Sequence, residues 1–132
     1  MKKELGIARC GLACCLCKDN SVCSGCKNDG FLNLTWCHDA DWCLNRKCVI
    51  EKHIEGCYEC NPKYCCKGLY ENKLKPKAFA EFAHRYGIEE LLFCLERNEE
   101  KGIVYHRDGI MGDYDEFEDL EELIEFIRTG ER

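Results

Sequence analysis

Six cysteines stand within seventeen residues in the stretch CGLACCLCKDNSVCSGC, residues 10–26. Thiols at that density cross-link as disulfides, ligate a metal ion or hold an iron–sulfur cluster. Spacing narrows the choice. A Cys-x-x-Cys pair offers two ligands of a tetrahedral ion from one tight turn. The chain has three such pairs: Cys14/Cys17, Cys23/Cys26 and Cys57/Cys60. Cys10, Cys37, Cys43, Cys48, Cys65 and Cys66 can each add one ligand. Three pairs and six single residues make twelve donors, which suits three Cys₄ zinc sites, or two with thiols to spare. Which cysteines share an ion does not follow from spacing. Only five residues separate Cys17 from Cys23, so those two pairs would be cramped on one ion.

The remaining sulfur and imidazole groups have plainer readings. Cys15 follows Cys14 directly, and the two cannot both face one centre, so Cys15 reads as a small packed hydrophobe. Cys94, inside ELLFCLE, reads as core. His38 and His53 could each replace a cysteine, but surface histidines are the simpler reading. The Cys10-x₃-Cys14-x₂-Cys17 spacing also matches that used by radical S-adenosylmethionine enzymes for a four-iron cluster. Such chemistry sits in a partial (β/α) barrel of about 200 residues. This chain has 132 residues and no βα alternation after the motif. A ferredoxin-like cluster is still open, because its ligands are cysteines too. Zinc is preferred because the pairs are dispersed and self-contained. Thiolates that saturate the ion leave no open position for water, so the zinc reads as structural and no catalytic residue is assigned.

These sulfurs need elements to position them, and the two halves differ in what they offer. Thirteen of the fourteen cysteines lie within residues 10–66, among thin, scattered apolar side chains. An apolar core that small hardly offsets chain entropy of about 1–2 kcal/mol per residue. Zinc contributes roughly 10–16 kcal/mol in small peptides, so residues 1–70 are expected to fold around metal. Residues 71–132 look conventional. Pro76 suits a first helical turn, with Phe79, Phe82, Ala83 and Tyr86 on one face and Gly87 as the stop. A second helix is predicted from Ile88 to about Asn98, burying Ile88, Leu91, Leu92 and Leu95. GIVYHRDGIM (102–111) reads as a β-hairpin with an Asp108-Gly109 turn. A last helix is predicted over 116–128, with Phe117, Leu120, Ile124 and Ile127 inward, Asp115 and Glu118 as its capping box and Gly130 at its end. The expected fold is therefore small α+β: an irregular metal-organised half (1–70) packed on a mainly helical half (71–132) with a short hairpin.

Charge and address bound the partners. Residues 1–70 carry ten Lys/Arg against eight Asp/Glu (+2), and residues 71–132 nine against seventeen (−8), which together give −6. Nucleic-acid binders carry a basic face, and this balance argues against one. No segment approaches the ~20 apolar residues of a membrane span. The first residues show no signal-like apolar run, so a reducing cytoplasm is expected, where clustered thiols bind metal rather than cross-link. Tyr105, His106, Arg107 and Asp108 bunch polar groups at the hairpin tip and read as an ordinary turn.

The motifs CGLACCLC (10–17), CSGC (23–26), CLNRKCVIEK (43–52), CYEC (57–60) and KYCCKGL (63–69) together resemble domain-of-unknown-function family 3795. Its members are small cysteine-rich proteins of bacteria and archaea that are presumed to bind zinc. The resemblance covers about residues 7–70 and carries ligand roles to Cys10, Cys14, Cys17, Cys23, Cys26, Cys43, Cys48, Cys57 and Cys60. The chain departs from the pattern at Cys15, which is extra, and at Asn45, where isoleucine is usual. It departs again at Tyr64-Cys65-Cys66, which lacks the closing proline and leaves Cys65 and Cys66 as alternatives. The resemblance implies a metal-bound fold and no activity. The expectation is thus a zinc-binding interaction or ligand-binding module with a protein or small-molecule partner. An iron–sulfur electron carrier or redox sensor, and a soft-metal sensing or handling protein, stand as alternatives.

Overall fold

The computed structural model describes residues 6–16, 44–65, 68–71, 73–105 and 111–131. Four α-helices are described: α1 (Leu44–Glu51), α2 (Leu74–Tyr86), α3 (Ile88–Glu100) and α4 (Leu120–Thr129). Short 3₁₀ turns at Cys14–Leu16, Cys57–Glu59, Pro62–Tyr64, Gly68–Glu71 and Asp113–Asp115 fill much of the rest.

Helix α2 is the centre of the molecule. Pro76 sits in its first turn, where the missing N–H would have had no helical partner. Ala78, Phe79, Ala80, Phe82 and Ala83 are all buried, so α2 is covered on several sides rather than along one stripe. It packs against α3, α4 and the turns at Cys57–Glu59, Pro62–Tyr64, Gly68–Glu71 and Asp113–Asp115. The Gly87 amide closes α2 on the Ala83 carbonyl at 2.8 Å, and α3 starts at the next residue. Leu91, Cys94 and Leu95 of α3 and Leu123, Ile124, Phe126 and Ile127 of α4 complete the core. Rings of Phe79, Tyr105, Tyr114, Phe126 and Phe117 form a chain of tilted and edge contacts with centroids 4.9–6.3 Å apart. Tyr86, expected inside, is exposed and lies against Phe82 at 4.8 Å.

The α+β expectation is overturned: every regular element among the described residues is helical, and no strand or β-hairpin is found among them. Local hydrogen bonding gives the reason. The Asp113 amide does donate to the Val104 carbonyl at 2.8 Å, as a hairpin would require. The Val104 amide, however, donates to the Asp113 carboxylate at 2.7 Å. A side chain has taken the place of the backbone acceptor, so no ladder continues. The chain turns at once into the 3₁₀ segment Asp113–Asp115, where Asp115 accepts the Gly112 amide at 2.7 Å. Asp115 therefore caps this turn and not the last helix. α4 starts later than predicted, and its cap is Asp119, which accepts the Glu122 amide at 2.9 Å.

The N-terminal loop is built into the same core. Ile7, Ala13 and Cys15 belong to the cluster that holds Phe79, Phe82 and Leu95. The Ala13 amide donates to the Tyr105 hydroxyl at 3.0 Å, which ties the loop to a residue far along the chain. Gly11 lies against the backbone of α2: a Cβ there would sit 2.6 Å from the Pro76 carbonyl oxygen.

Candidate metal centre

Of the twelve expected ligands, Cys10, Cys14, Cys48, Cys57, Cys60 and Cys65 are among the described residues. Cys17, Cys23, Cys26, Cys37, Cys43 and Cys66 lie outside them, as do His38 and residues 106–110. None of the eight described cysteines, Cys15 and Cys94 included, is in a disulfide.

The Cys57/Cys60 pair is described whole. Pairs of this kind need a tight turn, and here the Cys60 amide donates to the Cys57 carbonyl at 3.0 Å across the 3₁₀ segment Cys57–Glu59. The next turn, Pro62–Tyr64, delivers Cys65, whose amide donates to the Pro62 carbonyl at 3.1 Å. Both turns rest on α2. Glu81 of α2, only 5% exposed, accepts the Lys63 amide at 3.2 Å and so fixes the second turn to the helix. Arg85 holds the other Glu81 oxygen at 2.6 Å and grips Glu121 of α4 with two bonds of 2.8 and 2.7 Å.

Three further segments meet this ledge. Cys48 comes from α1, where the neighbouring Val49 packs with Cys57, Tyr70 and Ala80. Cys65 is partly buried against the same cluster. The loop bearing Cys10 is stitched on by the Cys57 amide, which donates to the Arg9 carbonyl at 2.7 Å. The Tyr70 hydroxyl donates to the Cys10 carbonyl and also interacts with the Cys57 thiol. Burial, then the nearby charges of Cys57 and Cys10, push the Tyr70 hydroxyl well above its ordinary range.

Hydrogen-bond donors point at the sulfurs. Lys52 extends its ammonium to Cys60 Sγ at 3.5 Å, and Asn45 brings Nδ2 to 4.0 Å from Cys57 Sγ. The bond to Cys60, then the charge of Cys48, raises the Lys52 ammonium above its usual value. Burial pushes the Cys57 thiol up, while the neighbouring Tyr70 hydroxyl and Asn45 amide act in the opposite direction. Sequence reading missed both the Lys52 and the Asn45 donor. Lys52 had a signal, one helical turn after Cys48 and beside a Cys-x-x-Cys pair. Asn45 had another: it is buried at 2% exposure where the resembled family usually carries isoleucine.

Among the described residues, no three Cys, His, Asp or Glu side chains already converge into a metal-holding group. The chemistry of the donor set nonetheless suits zinc: sulfur ligands from several segments, outside disulfides, with N–H groups directed at two of them. Cys15 stands apart. It is buried in the apolar core, and burial raises its thiol to about 11. Cys94 is likewise buried and raised by burial. His53 is exposed, and its φ is 57°. Tyr105 of the expected polar tip is buried in the core. Among the described residues, no helix is long and apolar enough to cross a membrane.

Comparison with protein-family models, curated proteins and solved structures finds no match to this chain. The likeness to family 3795 therefore rests on the quoted motifs alone.

Proposed function

We propose that the chain is a zinc-binding protein of the bacterial or archaeal cytoplasm. Its two or three ions are structural, and it serves as an interaction or ligand-binding module for a protein or small-molecule partner. One observation carries the reading: Cys57 and Cys60 are paired by one hydrogen-bonded turn over α2, with Cys65 packed beside Cys57 and Lys52 and Asn45 directed at the pair's sulfurs. Each thiol loses its proton to solvent on binding, and four thiolates around a dication leave a net charge of −2. A neighbouring ammonium suits that excess. The spacing of the other cysteines and the resemblance to family 3795 support the same reading. Thiolate-saturated zinc is a poor Lewis acid, so the ions hold shape rather than activate water.

Elemental analysis of the purified chain, combined with its visible spectrum, tests the proposal. A colourless protein with two or three zinc ions per chain is expected. A brown protein absorbing near ~400 nm would replace it with an iron–sulfur carrier or redox sensor. Binding of Cu(I) or Cd(II) in clear excess of the zinc equivalents would shift the reading to soft-metal handling.

A further inference from the structure

We propose that the Cys57/Cys60 turn is a redox-responsive dithiol: Cys60 exchanges with a small disulfide, and Cys57 resolves the adduct into an internal Cys57–Cys60 disulfide. The exchange goes beyond the zinc reading, and only its consequence rests on that reading. A disulfide and an ion compete for the same two sulfurs, so closure releases any ion the pair holds.

The turn sets up the bridge. The Cys60 amide donates to the Cys57 carbonyl at 3.0 Å across it. A turn closed in this way keeps its end Cα atoms within about 7 Å, the span a disulfide can bridge. Its middle is pinned to α2, where the ring N–H at His84 Nδ1 donates to the Tyr58 carbonyl at 2.8 Å. Its start is pinned to the N-terminal loop, where the Cys57 amide donates to the Arg9 carbonyl at 2.7 Å. Closure is thus a local event within a held turn.

The two sulfurs differ in access. Cys57 is 8% exposed and packs with Val49, Tyr70 and Ala80. Cys60 is only partly buried, and the Lys52 ammonium stands 3.5 Å from its sulfur. A reachable sulfur beside a cation is the one that attacks. The buried sulfur, meeting it only within the turn, is the one that resolves. Neither is in a disulfide in this structure, which is the state from which exchange starts. In the exchange, the Cys60 thiolate attacks one sulfur of the small disulfide, whose S–S bond breaks, and the first half leaves as a thiolate. The Cys57 thiol then gives its proton to solvent and attacks the Cys60 sulfur, and the second half leaves. Two protein thiols lose two electrons, and one small disulfide becomes two thiols.

The test incubates the full chain, as purified, with oxidised glutathione and follows residues 53–63 by mass spectrometry. Trypsin cuts after Lys52 and Lys63, and the peptide between holds Cys57 and Cys60 and no other cysteine. In wild type this peptide should close on itself, and dithiothreitol should reopen it. A zinc indicator should report release of an ion with the same time course. In Cys57→Ser the peptide should instead keep one glutathione on Cys60. In Cys60→Ser, Cys57 should take up glutathione about tenfold more slowly than Cys60 does in Cys57→Ser, because exchange follows access. A wild-type peptide that stays reduced, or that stops at a glutathione adduct, overturns the proposal. So does a Cys57 that reacts as fast as Cys60. Closure in a chain that holds no zinc defeats the zinc reading alone. A zinc-loaded chain whose peptide never closes defeats the dithiol alone, and closure with the zinc count unchanged overturns the release.

Discussion

Replacing Gly11 by alanine tests how the cysteine-rich loop is held to the helical core. Gly11 has φ of +103°, and a Cβ there would lie 2.6 Å from the Pro76 carbonyl oxygen and 2.7 Å from the Ala80 amide nitrogen. Both atoms belong to the backbone of α2, so neither can rotate aside. A left-handed backbone costs an L-residue about 1–2 kcal/mol. Forcing a methyl into a packed contact costs about 1–3 kcal/mol more. The expected loss is therefore about 2–5 kcal/mol, a large share of the ~5–15 kcal/mol that holds a typical domain. Urea unfolding of zinc-loaded protein, followed by far-ultraviolet circular dichroism, should show the midpoint falling by about 1–2 M. Gly6→Ala provides the control. Gly6 also has positive φ, at +59°, but nothing lies within 4 Å of the place its methyl would take. It should show the backbone cost alone, about 1–2 kcal/mol. If Gly11→Ala proved no worse than Gly6→Ala, the close contact with α2 would not exist as described.

Asn98→Ala should cost about 2–4 kcal/mol in the same assay. The fully buried amide donates to the Tyr114 hydroxyl at 3.2 Å and the Ile127 carbonyl at 3.0 Å; both bonds would be lost, and the carbonyl would keep only its bond from Arg97. Cys15→Ala should keep the wild-type zinc count, because Cys15 packs in the apolar cluster; loss of an ion would make it a ligand. The bond from Arg85 holds the Glu121 carboxyl below its usual range. Its folded pKa lies under its unfolded one, so its stabilisation is present above the unfolded value and lost as pH falls through the folded value. Glu121→Gln should remove that acid-side slope, with an effect of only about 0.2–1 kcal/mol for so exposed a pair. Stripping zinc with a chelator should leave α2, α3 and α4 protected from amide exchange while 48–65 loses protection. Global loss of protection would show that the helical core depends on the ions.

Helices α2, α3 and α4 are legible in the sequence because their signals are local, whereas α1, in the cysteine-rich half, is not predicted. Pro76 and Gly87 bracket α2, Gly87 separates it from α3, and the Leu120–Ile127 stripe marks α4. The segment read as a hairpin differs because Asp113 competes with the backbone: its carboxylate takes the Val104 amide, a choice invisible in an apolar alternation. The start of α4 shifts for a related reason, since Asp115 and Asp119 are both plausible caps and only the turn before them decides. The candidate centre is legible as ligand types but not as partners. Cys57 and Cys65 meet through the packing of Val49 and Tyr70, and no spacing rule encodes that. That Ile7, Ala13 and Cys15 join the core of the later half is equally hidden, because it depends on α2 being present to receive them.

The ledge that seats Cys57, Cys60 and Cys65 is a helix that follows them in the chain. During synthesis the sulfurs therefore leave the ribosome before their platform does. For that interval the turns that carry them lack the helix they pack against. A break in translation just upstream of Leu74 would therefore release a thiol-rich fragment without the helix its turns pack against.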